Sequence, residues 1–314
     1  MGQRHSFAYN VVRTPETAPP ITKTAVDVST CHYTIPKRKD MAVCFVFFNP
    51  ARSKKMVMNY YYTVEKLKAA KMPYYTLELV FDKPEISEAF HVKGESALFH
   101  KEKLCALLEK KVPWWYSKLL FLDADIVFGR PDWYTEVSQL LNTYQVVQPF
   151  STAVWLDSTY KNVVQERLSV VFMKRTSTYD SAYHPGFGWA FQRKWFRKVG
   201  FYTEGITGSG DTLSSAAWMG VKFHPSYLRP AFTASYAEYC AMELPTMSCA
   251  RGTIYHLWHG SNKNRQYVDR HKILDGIRDV RHILEEKDGV WVLTDKNVEE
   301  KLRQYFISRD DDGV

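Results

Sequence analysis

Residues 117–134 read SKLLFLDADIVFGRPDWY, and no other stretch limits the fold of this chain as tightly. The four apolar residues 119–122 would be costly to leave wet, so they read as a short strand buried on both faces. The strand stops on Asp123 and Asp125, which flank Ala124, and a second apolar run over 126–128 follows at once. The pair therefore sits where buried chain meets the surface. Two carboxylates this close repel in low-dielectric surroundings, and a hard divalent cation that prefers oxygen is the simplest relief. A strand that ends in solvent on two aspartates by chance is the plain alternative. The apolar flanks argue against it, because they make the position half-buried.

The run FLDADIVF, residues 121–128, resembles the DxD signature of GT-A glycosyltransferases, which transfer a sugar from a nucleotide-sugar donor with the help of Mn²⁺ or Mg²⁺. The resemblance implies an α/β fold of the GT-A, Rossmann-like kind, with a mixed, mostly parallel central sheet flanked by helices. It also implies Asp123 and Asp125 as metal ligands, with Ala124 beside the donor.

The order of elements agrees with such a sheet. Residues 41–48 read as a buried strand ending at the turn Asn49-Pro50, and 56–70 have helical spacing. A strand over 76–81 and a helix over 100–110 lead into the carboxylate strand. Strand, helix, strand, helix, strand predicts parallel pairing with right-handed crossovers. Ligands bind such sheets beyond the carboxyl ends of the strands, which places Phe48, Asn49 and Glu78 on one rim as candidate donor contacts. His100 and Lys103 in FHKEKL are candidates from the helix just upstream.

Downstream, a helix reaching Leu141 and a short strand over 146–150 precede 157–183. That segment is polar and weakly periodic and reads as a surface excursion, a lid or an acceptor-binding insertion. In HPGFGWAFQRKWF two glycines bracket an aromatic, which makes Gly188 and Trp189 candidate acceptor contacts. Gly208-Ser209-Gly210-Asp211 then opens a helix. The family resemblance implies Asp211 as the acceptor-side general base, while a helix N-cap is the plain reading.

In TIYHLWHGSNKNRQYVDR, residues 253–270, the resemblance implies that His256 or His259 completes the metal shell and that Lys263 and Arg265 neutralise the leaving diphosphate. A zinc site is the alternative for His-x-x-His, but no third ligand stands near at familiar spacing. An amphipathic helix through Ile273, Ile277, Val280 and Leu284, a turn at Asp288-Gly289 and a last helix over 298–306 read as a brace. The expected organisation is an irregular arm (1–40), a nucleotide-sugar half (41–150), an acceptor and metal half (151–270) and the brace (271–314).

The net charge of +8 and pI near 9.0 come from scattered Lys and Arg without a basic stripe, which fits a modest field for anionic nucleotide-sugars better than nucleic acid. Five cysteines without metal-ligand spacing fit a reducing compartment, and no run approaches a membrane span, so a soluble cytoplasmic protein is expected. Met1-Gly2-Gln3-Arg4-His5-Ser6 fits the loose N-myristoylation pattern. The order of parts resembles the soluble DxD glycosyltransferases of large viruses, phages and bacteria. The expectation is transfer of a hexosyl or pentosyl group, from a UDP-sugar first, to a glycan. The alternatives are a metal-dependent nucleotidyltransferase or sugar-phosphate enzyme, and a non-catalytic glycan- or nucleic-acid-binding protein.

Overall fold

The computed structural model describes residues 25–173, 180, 182–221, 228–260, 264–267 and 269–313. The pattern at residues 1–6 and Lys263 lie outside them. The described chain begins with an isolated bridge from Ala25 to Asn162 and a short 3-10 turn, Val28–Thr30, capped by Asp27. Then come β1 (Met41–Phe48), α1 (Lys54–Ala69), β2 (Tyr74–Val80), β3 (Phe90–Lys93), α2 (Lys101–Lys111) and β4 (Lys118–Leu122). β1 pairs in parallel with β2 and with β4, and β2 with β3, as the alternating pattern requires.

The residues after the carboxylates build β5 (Ile126–Phe128), α3 (Trp133–Leu140), β6 (Val146–Gln148), β7 (Thr152–Leu156), β8 (Val163–Ser169), β9 (Tyr183–His184) and β10 (Gly188–Gln192). They are followed by α4 (Arg193–Lys198), α5 (Gly210–Met219), α6 (Thr233–Tyr239), β11 (Met247–Cys249), β12 (Thr253–His256), the hairpin β13 (Leu284–Lys287) and β14 (Val290–Leu293), and α7 (Lys296–Ser308). Seven strands form the central sheet in the order β11-β6-β10-β4-β1-β2-β3, and only β10 runs antiparallel to its neighbours. A second sheet has the order β5-β12-β7-β8-β9. The fold is mixed α/β around a mostly parallel sheet, as expected.

β1 and residues 119–122 of β4, in the middle of the central sheet, are buried on both faces and apolar, and their successive side chains alternate between two cores. Met41, Val43, Phe45 and Phe47 of β1 join Leu120 and Leu122 of β4 on one face. Ala42 and Cys44 join Leu119 and Phe121 on the other. Burying each large side chain contributes about 1.5–3 kcal/mol. A third cluster holds the end of the chain against the body, with Val298 and Leu302 of α7 packed with Leu98, Ile206 and Leu213.

Two expectations are corrected. The polar segment over 157–183 is not simply a surface excursion: β8 and β9 are strands of the second sheet, and residues 174–179 and 181 lie outside the described set. β8 is only half-buried, which explains its polar sequence. The helix expected from Arg270 to Leu284 is two 3-10 turns, Asp269–Leu274 and Val280–Ile283. Gly276 between them has φ +92°, outside the helical region, and breaks the run.

Candidate functional site

Asp123-Ala124-Asp125 is one of the short links between the two sheets, with β4 ending before it and β5 starting after it. β5 pairs with β12 so that Ile126 faces His256, and the Leu257 N–H donates to the Asp125 carbonyl at 2.8 Å. This register brings His256, at the end of β12, and His259, three residues on, beside Asp125. His259 Nε2 lies 2.7 Å from Asp125 Oδ2, and His256 Nε2 3.5 Å from it. One ligand atom from each of the three residues lies within 4.8 Å of the others.

Asp125 Oδ1 is buried and has no hydrogen-bond partner. An orphaned carboxylate oxygen is costly in a folded interior, and a cation is what would satisfy it. Burial pushes the Asp125 carboxyl up, yet the imidazoles of His256 and His259 and the Arg265 guanidinium hold it below the usual carboxylate range. Burial lowers His256 to about 3, so its ring is neutral at physiological pH and offers a lone pair. Phe187 stacks on that ring at 4.8 Å. Its backbone φ of +73° is unusual for a bulky residue and is held by contacts with His184 and Trp155. One carboxylate and two imidazoles suit a divalent first-row metal, so these residues fit the implied cation.

Asp123 does not join this cluster. Its Oδ1 is 2.5 Å from Lys101 Nζ at the first residue of α2. Burial raises the Asp123 carboxyl, and the Lys101 charge works against that. Burial opposes the Lys101 ammonium in turn, but Asp123, Asp211 and Glu102 keep its pKa above the ordinary value. Asp211 lies in the first turn of α5, behind the capping position Ser209, and its Oδ1 accepts from the Thr212 N–H at 2.7 Å. A Cβ placed on Gly186 would stand 2.7 Å from Asp211 Oδ2 and 3.0 Å from His184 Nε2, so glycine is what lets these groups close up. Neither ring nitrogen of His184 has a partner, and burial holds its pKa well below the ordinary value.

Three guanidiniums share an aromatic wall next to the histidines. Arg265 Nη2 donates to the His259 carbonyl at 2.9 Å and Nη1 to the Tyr267 hydroxyl at 3.1 Å. Arg270 stacks on Phe99 at 4.7 Å, and Arg309 on Phe306 at 5.7 Å. Arg265, Arg270 and Arg309 each keep a buried Nε–H without a partner, the donor geometry that phosphates and carboxylates match. The residues after α7 cross the same cleft. Asp311 pairs with Arg309 at 3.0 Å and stands 3.6 Å from His259 Nδ1, beyond hydrogen-bond distance. Asp312 accepts from Ser53 Oγ at 2.6 Å and from the N–H groups of Lys54 and Lys55 at 3.0 and 2.8 Å, closing the N-terminus of α1.

Of the expected site residues, Phe48, Asn49, Asp123, Ala124, Asp125, Asp211, His256, His259 and Arg265 line one cleft. Asn49 is tied to the turn, bonding the Ser53 backbone through both side-chain ends. Five others are elsewhere. Glu78 is buried within β2 and accepts the N–H groups of Glu85 and Ile86. His100 is fully buried and bonds the Ser96 carbonyl. Lys103 lies over the Trp291 ring and pairs with Glu286. Gly188 pairs with Leu122 inside the sheet, and Trp189 is buried against Trp218 with its Nε1–H on the Pro185 carbonyl, so it offers no platform to an acceptor. Lys101, His184, Phe187 and Asp311 line the cleft as well, although none of them is among the expected site residues. Lys101 stands between two named candidates, and only the start of α2 distinguishes them.

No protein-family model matches the chain. No curated protein sequence matches it either. Among solved structures it is similar to the catalytic domain of Drosophila beta1,4galactosyltransferase 7 in complex with xylobiose, at TM-score 0.41 and 11% identity over 83% of this chain and 98% of that one. It is also similar to the Pyrobaculum calidifontis mannosyltransferase PcManGT in complex with GDP-Man and Mn²⁺, at TM-score 0.41 and 13% identity over 88% of this chain and 72% of that one. A glucose-1-phosphate thymidylyltransferase from Bacillus anthracis matches at TM-score 0.35 and 10% identity over 59% of this chain and 86% of that one. These are distant likenesses, and the cleft residues carry the functional reading.

Proposed function

We propose that this protein is a metal-dependent glycosyltransferase that moves a sugar from a nucleotide-diphosphate sugar, a UDP-sugar first, to a hydroxyl of a glycan. The observation that carries the reading is the convergence of Asp125, His256 and His259 on an orphaned carboxylate oxygen, beside guanidiniums with unpartnered N–H groups. A divalent cation held by these three residues, Mn²⁺ or Mg²⁺, supplies Lewis acidity toward a leaving diphosphate when bound.

The side chains supply the rest. Arg265 faces the charge that grows on the diphosphate as the glycosidic bond lengthens, where a preset donor stabilises it. Asp211 Oδ2 takes the proton of the attacking acceptor hydroxyl. Lys101 fixes Asp123 and keeps its charge balanced near the cation. His184, neutral and unpartnered, exchanges a hydrogen bond with a sugar hydroxyl. Phe48 offers a flat apolar face to the base.

A nucleotidyltransferase or sugar-phosphate enzyme built on paired aspartates would be expected to gather several carboxylates round the metal. Among the described residues the one group able to hold a metal contributes a single carboxylate. The test is a melting-temperature panel of nucleotide-sugars with and without Mn²⁺. A ligand that binds only the folded chain raises its melting point, by the equivalent of about 2.7 kcal/mol at a hundredfold excess over Kd. The reading expects a rise with one donor that needs Mn²⁺, and no rise with any donor under either condition would refute it.

A further inference from the structure

α2 has the cleft at one end and an unusual turn at the other. Lys101 begins it beside Asp123, and after eleven residues, about 16 Å along the axis, it ends at Lys111. In the turn that follows, Trp114 is 83% exposed and Trp115 61%, the two most exposed aromatic rings among the described residues. Phe90, at the start of β3, is 40% exposed, with Lys111 Nζ 5.7 Å from its ring centroid. Side chains this apolar are normally buried, so a cluster of them in water marks a contact surface.

The turn is built to hold that exposure. Arg193, itself buried, donates to the carbonyls of Glu109, Val112, Pro113 and Tyr116. Trp115 leans on the buried Tyr116, whose other side meets Tyr75. The surrounding charge is positive. Lys110 and Lys111 are exposed, and so is Arg197. The nearby carboxylates are already paired, Glu109 with Arg193 and Arg197, Asp40 with Lys118 and Arg38.

We infer that this face docks on an anionic lipid surface, with Trp114 and Trp115 in the headgroup layer and Lys110, Lys111 and Arg197 on lipid phosphates. Indoles with one polar edge favour that layer, and basic side chains beside them answer its negative potential. The two adjacent indoles form a small patch, well below the roughly 800 Å² per partner of a standard protein interface. A bilayer needs less area, since apolar insertion and charge attraction add. Because the turn and the cleft lie at opposite ends of β4, docking leaves the cleft open to the aqueous side. The inference is independent of what the cleft catalyses.

The full chain is mixed with vesicles of phosphatidylcholine, or of phosphatidylcholine with about a third phosphatidylserine, and the bound fraction is read by sedimentation. Binding to the anionic vesicles, with a blue shift of tryptophan emission, is expected. The double variant Trp114→Ala/Trp115→Ala should bind about tenfold more weakly at an unchanged melting temperature. Lys110→Gln/Lys111→Gln should lose roughly twentyfold on anionic vesicles only. Should the double variant not fold, Trp114→Ala alone, whose ring contact is Trp115, replaces it. No binding to either vesicle, or equal binding by the tryptophan variant, overturns the inference. Self-association without lipid that is lost in the same variant overturns it in favour of a protein partner.

Discussion

His259 stands between two carboxylates, Asp125 at 2.7 Å on one ring nitrogen and Asp311 at 3.6 Å toward the other. On the proposed reading the first is a co-ligand and the second orients the ring. Asp125→Ala should therefore abolish both transfer and donor hydrolysis. Asp311→Asn should keep turnover at saturating Mn²⁺ but weaken the metal about 10- to 100-fold, as loss of a partner behind a ligand does, and a metal titration separates the two. Glu102 makes a different prediction. Burial raises it to about 7, above its unfolded value of 4.5, so the folded chain holds a proton that the unfolded chain has released between those values. Stability from this group is fully present below pH 4.5 and falls as pH rises through 7. Glu102→Gln should remove that fall and gain up to about 3 kcal/mol at pH 8, read by denaturant melts across pH. The end of an apolar strand points to Asp125 in the sequence, whereas His256 and His259 follow from the family resemblance. The sequence did not distinguish Lys101 from Lys103, because a helix face depends on where the first turn starts.

The glycine-flanked turn before β10 links three elements. The missing side chain of Gly186 leaves room for Asp211 of α5, His184 closes β9, and Phe187 covers His256 of β12. Gly186→Ala should lower turnover about 10- to 100-fold by displacing Asp211 and His184, with little loss of melting temperature, since misplacement of about 1 Å can cost that much. Elements with a strong pattern were legible: β1, β4, α1 and the closing helix appear in the sequence as runs whose period matches their burial. β8 was not, because a half-buried strand with polar residues on both sides lacks clean alternation. The apolar spacing of Ile273, Ile277, Val280 and Leu284 is real and faces the core, but the left-handed Gly276 divides it into two 3-10 turns. The position of Glu78 near the carboxyl end of β2 predicts a place on the rim. Its carboxylate instead closes the turn at Glu85 and Ile86.

The chain crosses between the two sheets several times, and the group that could hold a metal arises at the crossing over Asp123-Ala124-Asp125. β4 brings Asp125 from one sheet and β12 brings the histidines from the other, so the site depends on how the two pack. The segment after α7 fastens the same region from outside, with Asp311 at His259 and Asp312 on α1. Asp312→Ala should cost about 1 kcal/mol of stability, the usual effect of removing a cap, read as a lowered melting temperature. The sequence reads this end of the chain as a brace, but three consecutive aspartates do not say which of them reaches His259 and which reaches α1. The most direct test is a crystal grown with Mn²⁺ and a nucleotide-sugar, viewed in an anomalous difference map. The account predicts one peak bonded to Asp125, His256 and His259, with the diphosphate against it and Arg265 alongside. A donor bound elsewhere, or an ion that leaves those three residues uncoordinated, would contradict it.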